Sequence, residues 1–335
     1  MSRVGVIGGG AFGSAMACVM RRAGHETILW AREPFTVQAL NRDRMNPLYL
    51  PRIKLEAGIR ATDVLAQALD GMDFLLLAVP SQYLRTVSEA MRPDVAAGTP
   101  VVNCAKGIER GTCALMPEVI AQSLPQATVC VLSGPAFARE LANDLPTGVT
   151  FACADADVGE RVSRAIATPR FCTYLSDDVP GAALGGAMKN VLAIACGIAE
   201  GKKLGANARA TLITRGLTEM ARLGLAKGAR LETFMGLSGI GDLTLTCNNV
   251  QSRNMSLGVA LGEGRSLTEV LGERREVTEG AFSAEAVAAL ARRLEIDLPI
   301  VAAIDQVLNH GADLDATIAR LIAHPWHHEG IAAER

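Results

Sequence analysis

The first half of the chain alternates two apolar rhythms. Arg3–Ile7 is a short apolar run that ends in glycines, and 11–22 then carries apolar residues at helical spacing up to Gly24, a stop signal for a helix. Glu26–Trp30 is the next strand-like run. Residues 74–79, Phe-Leu-Leu-Leu-Ala-Val, are continuously apolar, as in a strand covered on both faces. Further short runs lie at 100–103, 127–132, 148–153 and 170–175, and helical stretches around 63–70, 81–91, 111–122 and 157–167 separate many of them. Strand–helix alternation predicts an α/β domain with a doubly wound parallel sheet. After Ser176-Asp177-Asp178-Val179-Pro180 the rhythm becomes helical throughout, over 181–200, 207–226, 253–262, 267–272, 281–293 and 299–308. The chain is therefore expected to hold two domains, 1–180 and an all-α domain over 181–335. No internal repeat or low-complexity tract interrupts them.

Composition narrows this picture. With 335 residues, 49% hydrophobic, 20% charged and a net charge of −2, the chain can bury a sizeable core and is not a disordered one. The balanced charge offers no general basic field for nucleic acid. Aromatics make up 4% while glycines number 33, which suits tight turns and close helix packing better than a β-sandwich. The apolar part of 1–10 is too short and too glycine-rich for a signal-peptide core. The nearest approach to a membrane span, 181–199, has Lys189 and Asn190 at its centre; a Lys at mid-bilayer costs about 2.5–3.5 kcal/mol, so this stretch reads as a buried helix and no membrane insertion is expected. The eight cysteines form no Cys-x-x-Cys pair and read as reduced core residues of a cytoplasmic protein. The tail His324-Pro325-Trp326-His327-His328 lacks metal-site spacing and an acidic partner; it reads as a solvated tail, and no metal is expected.

Gly8-Gly9-Gly10-Ala11-Phe12-Gly13 is Gly-x-Gly-x-x-Gly after a strand and at the opening of a helix. Gly8 permits the tight turn, Gly10 lets backbone approach a pyrophosphate, and Gly13 lets the helix pack on the strand. The phosphates would sit at the helix N-terminus. This context makes the first domain Rossmann-type and the ligand a dinucleotide. At the end of the second strand, where an acidic residue normally takes the ribose hydroxyl, Arg32 precedes Glu33. Arg32 can pair with a 2′-phosphate or stack on adenine, which points to NADPH, while Glu33 keeps NADH open.

Three further places carry candidate chemistry. Lys189 lies among small residues, with Gly185, Gly186 and Ala193 on its helical face and Cys196 in the same stretch. Burial there would lower its pKa and let it exchange a proton near neutrality; the alternative is a Lys snorkelling at a helix edge. Glycine-punctuated 236–247 contributes one carboxylate, Asp242, and Ser252-Arg253-Asn254 opens a helix, either as an oxyanion site or as a Ser cap with a solvated Arg. Lys106-Gly107 and 134–138 each follow a strand, at the edge where open α/β sheets bind ligands.

Taken together, Gly8–Gly13, Lys106-Gly107, 134–138, Met188-Lys189-Asn190, 197–207, 239–243 and 252–254 resemble bacterial NAD(P)-dependent glycerol-3-phosphate dehydrogenase, in that family's order and over nearly the whole chain. The resemblance implies reversible reduction of dihydroxyacetone phosphate to sn-glycerol 3-phosphate with NADPH or NADH, feeding glycerophospholipid synthesis. It implies that Lys189 is the catalytic acid/base, and that substrate is bound by Lys106, Gly134, Ala136, Lys189, Asp242, Ser252, Arg253 and Asn254. It implies cofactor contacts from Gly8, Gly10, Ala11, Phe12, Gly13, Arg32, Lys106, Ala138, Arg253, Val277 and Glu279. Family members often carry Ser or Thr where Ala136 stands, so any contact there is main-chain only. The helical domain is compatible with a homodimer. A related dehydrogenase acting on a β-hydroxyacid, and a catalytically silent dinucleotide sensor, are the competing readings.

Overall fold

A computed structural model describes residues 1–272 and 279–323. The chain divides into two compact units: Met1–Lys106 with Met116–Ala182, and Gly107–Leu115 with the chain from Ala183 onward.

The first unit is built on eight strands: β1 (Arg3–Ile7), β2 (Glu26–Trp30), β3 (Ile59–Thr62), β4 (Phe74–Leu77), β5 (Pro100–Asn103), β6 (Thr128–Ser133), β7 (Thr147–Cys153) and β8 (Phe171–Ser176). Their order across the sheet is β8-β7-β6-β5-β4-β1-β2-β3. Val6 pairs in register with Leu29 on one side and Leu76 on the other, so the most apolar runs lie at the middle. Every residue of β4 is buried, as its unbroken apolar run predicts. The α/β, doubly wound fold class and the all-helical second half are what the alternation indicated. One pair departs from a fully parallel sheet: β7 runs antiparallel to β6. The link between them holds only the five-residue helix Ala138–Ala142, too short to carry the chain back along the sheet for a parallel return.

The sequence pattern also missed elements at the β2–β3 side. Helix Pro34–Asp43, a small antiparallel pair of Met45–Asn46 with Leu50–Lys54, and the edge strand β3 all lie between 34 and 62. Their half-exposed positions give weak periodicity. The helix expected over 111–122 begins only at Met116. Residues 107–115 instead double back, with Ile108 bridging Leu115 and both side chains in the core of the helical unit. Arg293 holds the loop by donating to the carbonyls of Gly111 (2.6 Å) and Thr112 (2.7 Å). This segment thus packs with the helical unit, whereas a single cut at residue 180 assigns it to the first domain.

The helical unit is organised around α2 (Val179–Gly201). Its most apolar 18-residue window would suit a membrane span by length and hydropathy but is entirely buried within the fold, so α2 is a core helix. Helix α4 (Arg253–Gly262) lies directly against it; α3 (Asp242–Cys247) precedes it, and α5 (Glu279–Arg293) and α6 (Pro299–Asn309) follow. The α2–α4 contact is backbone on backbone. A Cβ on Gly197 would stand 2.2 Å from the Met255 carbonyl oxygen, and one on Gly258 would stand 2.1 Å from that of Ile194. No side chain fits at either position. All eight cysteines carry free thiols; seven are buried, and Cys172, on edge strand β8, is exposed. The His-rich 324–328 stretch lies outside the described residues.

One buried acid caps a helix. Glu219 is 3% exposed; its carboxyl oxygens accept from the Ile300 and Val301 N–H groups at the start of α6, at 2.7 and 3.1 Å. Burial pushes its carboxyl up to about 8, against the pull of those two N–H groups and of Arg222. A carboxyl raised in the folded state holds its proton longer than in the unfolded chain. Its contribution is therefore fully present at low pH and is lost as pH rises from about 4.5 towards about 8. Thermal unfolding across that window should show Glu219→Gln gaining on the wild type as pH rises; a difference that does not change with pH would contradict this.

Candidate active site

In the sheet unit the chain leaves β1 through Gly8 and enters α1 (Ala11–Arg22) with Gly10 as its N-cap. Gly8 has φ of +127°, and a Cβ there would lie 2.5 Å from the Ala78 carbonyl oxygen; on Gly13 it would lie 1.9 Å from that of Gly8. Both are closed to side chains by the turn itself. Gly10 differs. Its φ is −73° and a Cβ there would meet nothing within 4 Å. The turn does not need a glycine at this position, yet it has left open space in front of a helix N-terminus. The first turn of α1 carries no side-chain cap and no acidic residue. Exposed N–H groups, a positive helix end and a cleared face fit a dinucleotide pyrophosphate.

The other predicted cofactor residues of this unit surround that turn or follow neighbouring strands. Ala11, Phe12, Ala136 and Ala138 are partly buried and pack on one core. Arg32 follows β2 with 75% of its side chain exposed, and its Nη2 sits 3.1 Å from Glu33 Oε1. The guanidinium is thus available to a ligand at the nucleotide end. Lys106 stands just past β5, and its Nζ donates to the Gly134 carbonyl, beyond β6, at 3.0 Å. Gly134 adopts φ of +149°, and a Cβ would come within 3.0 Å of Val149 Cα. Lys106 and Gly134, 28 residues apart, are therefore direct neighbours.

In the helical unit Lys189 is not an amine among apolar neighbours alone. Gly185, one turn earlier on α2, admits the Ser238 carbonyl; a Cβ there would be 2.3 Å from its oxygen. Ser238 lies in a π-type turn, Leu237–Gly241, which leads directly into α3. The small residues around Lys189 thus let backbone approach, and that approach delivers Asp242. Lys189 Nζ lies 2.6 Å from Asp242 Oδ1 and 2.9 Å from Thr246 Oγ1. The Thr246 hydroxyl in turn donates to the Asp242 carbonyl at 2.6 Å. Asp242 is wholly buried and the Lys189 side chain is 11% exposed. A carboxylate so buried requires a paired cation. The expected isolated, desolvated amine is replaced by a buried ion pair with a hydroxyl brace. Sequence reading passed over Thr246, although it lies four residues after Asp242 and so on the same face of α3.

Ser252 caps α4, its hydroxyl accepting from the Met255 N–H at 3.2 Å. The Ser-cap alternative is therefore realised, and Arg253 occupies the first helical position behind a first turn free of acids. Asn254 is buried and spends its carboxamide on protein, donating to Asn190 Oδ1 at 2.9 Å and accepting from the Gly280 N–H at 3.0 Å. Within this unit the structure brings together Lys189, Asp242 and Thr246, and joins 252–254 to Asn190 beside Lys189. The Cys196 and Cys247 thiols hydrogen-bond each other; that contact, and then burial, hold the Cys247 thiol well above its ordinary range, so it stays protonated. Glu279 begins α5. Val277 lies outside the described residues.

Comparison with known proteins places this arrangement. The family signature described as NAD-dependent glycerol-3-phosphate dehydrogenase N-terminus matches residues 3–159, and its C-terminus counterpart matches 178–319. The chain is 53% identical to a Parvibaculum lavamentivorans protein named glycerol-3-phosphate dehydrogenase [NAD(P)+], over 98% of each chain. A Rhodospirillum rubrum protein of the same name is 52% identical, covering 98% of this chain and 95% of its own. Among solved structures, glycerol-3-phosphate dehydrogenase from Coxiella burnetii superposes with a TM-score of 0.92 at 37% identity, covering 96% of this chain and 98% of that one. With full-length relatives above half identity and both halves of the family signature in place, this chain belongs to the NAD-dependent glycerol-3-phosphate dehydrogenase family.

Proposed function

We propose that this protein reduces dihydroxyacetone phosphate to sn-glycerol 3-phosphate with NAD(P)H, reversibly, and that Lys189 is its acid/base. The observation that carries the reading is the Lys189–Asp242 pair, an amine fixed at 2.6 Å from a wholly buried carboxylate in a chain of this family. Bound NAD(P)H supplies a hydride to the carbonyl carbon. As negative charge develops on the carbonyl oxygen, the Lys189 ammonium stabilises it and passes it a proton. Asp242 and Thr246 hold the amine in one orientation, so little reorganisation is needed in the transition state. In the reverse direction the neutral amine takes the alcohol proton.

Arg253, the first-turn N–H groups of α4 and the Ser252 hydroxyl supply an oxyanion site for the substrate phosphate. Lys106, already aimed at the Gly134 carbonyl, adds a cation in the sheet unit. Ala136 offers only its main chain. At the nucleotide end, Arg32 takes a 2′-phosphate when NADPH is bound. We place the enzyme in the cytoplasm, where its thiols stay reduced and its product enters glycerophospholipid synthesis, and we propose a homodimer as its working form.

Three outcomes test these roles. Lys189→Met should lower kcat by about a thousandfold and also lower the melting temperature, because Asp242 loses its cation. Adding Asp242→Asn should restore the melting temperature but not turnover; restored turnover would remove Lys189 from the chemistry. Gly10→Ala should fold normally, since its backbone and surroundings accept a methyl group, yet weaken NADPH binding by about tenfold through crowding at the pyrophosphate. A fluorescence titration with unchanged affinity would show that the phosphates lie elsewhere. Arg32→Asp should shift the kcat/KM ratio towards NADH, and an unchanged ratio would exclude Arg32 as the reader of the 2′-phosphate.

A further inference from the structure

Asn254 is placed by family resemblance among the substrate ligands, but its side chain points into protein. The Gly280 N–H can only donate, so the atom facing it at 3.0 Å is Asn254 Oδ1. That fixes the carboxamide: Nδ2 faces Asn190 at 2.9 Å, and Asn190 must present its Oδ1. Asn254 is 8% exposed and Asn190 5% exposed. The two amides and one backbone N–H form a buried strut through α4, α2 and α5. Behind the strut the helices cannot spread or slide closer. A Cβ on Gly280 would stand 2.6 Å from Asn254 Oδ1 and 2.8 Å from the Asn190 carbonyl oxygen. Along the same α2–α4 seam, Cβ atoms on Gly197 and Gly258 would each stand 2.9 Å from the other's Cα. The contacts 190–254, 197–258 and 201–262 advance together along both helices, so α2 and α4 run parallel, with their site residues at the same end.

The residue before Asn190 is Lys189 and the residue before Asn254 is Arg253. We propose that the Asn190–Asn254–Gly280 strut is a positioning device that fixes the separation of the Lys189 amine and the Arg253 guanidinium, and thereby selects the distance between carbonyl and phosphate in the substrate. Asn254 and Gly280 are positioning residues here, acting through their neighbours. The proposal rests on the reading that Lys189 meets the carbonyl oxygen and Arg253 the phosphate. Under that reading, a ketone phosphate with one more methylene between the two groups is rejected because the helices hold the gap at one length.

The test compares dihydroxyacetone phosphate with 4-hydroxy-3-oxobutyl phosphate, its homologue longer by one methylene, as substrates for wild type, Asn254→Ala and Gly280→Ala. Both variants should raise KM for dihydroxyacetone phosphate by about tenfold with a much smaller fall in kcat, and reduce discrimination against the longer homologue by about tenfold, the scale on which one methylene is resolved. A simple ligand role for Asn254 predicts instead that Gly280→Ala keeps the wild-type KM and discrimination; that result would overturn the strut. If Gly280→Ala does not fold, Asn254→Ser, which breaks the strut without a clash, carries the test, and unchanged discrimination in it overturns the proposal equally. Wild-type activity on unphosphorylated dihydroxyacetone separates the two levels. Equal kcat/KM with and without the phosphate would remove Arg253 as its receptor, whatever the variants do.

Discussion

A lysine ammonium against a carboxylate sealed from water is the constraint on which the helical unit turns. Asp242 is wholly buried, and a lone carboxylate in that position would be costly by several kcal/mol. Lys189 and Thr246 answer it, and the surrounding architecture exists to bring them within reach. Gly185 lets the Ser238 carbonyl come close, the π-type turn redirects the chain, and α3 starts with the carboxylate in place. The burial that makes the pair expensive also keeps it rigid. A proton donor fixed by two partners approaches a developing oxyanion with its orientation already set.

The sheet unit obeys a different constraint, the exclusion of side chains from a turn. Gly8 and Gly13 are required by backbone contacts within the fold. Gly10 has no such requirement, and the space it leaves is the clearest structural sign of a ligand in this unit. A fold that needed only a tight strand–helix turn would tolerate a methyl group there.

Much of this was legible in the chain. Unbroken apolar runs such as 74–77 announced central strands, and the glycine spacing at 8–13 announced the turn. Small residues around Lys189 marked a place of close approach, but not what approached. The carboxylate came from 53 residues away, through a turn whose geometry no periodicity encodes, and with it the expected apolar niche became an ion pair. The β6–β7 reversal and the transfer of 107–115 to the helical core were hidden for the same reason: both depend on what a short linker packs against. Asn254 was visible as a polar residue at a helix start, and only the Gly280 N–H, 26 residues on, shows that its amide faces inward.

Chemical rescue addresses the proton donor most directly. A Lys189→Ala enzyme, shown to be folded by its melting curve, would be assayed for nicotinamide oxidation with dihydroxyacetone phosphate and rising concentrations of small alkylammonium ions. A proton-donor role for Lys189 predicts very low turnover that recovers with added amine and tracks the amine's acidity. Turnover near the wild-type rate before any amine is added would contradict it.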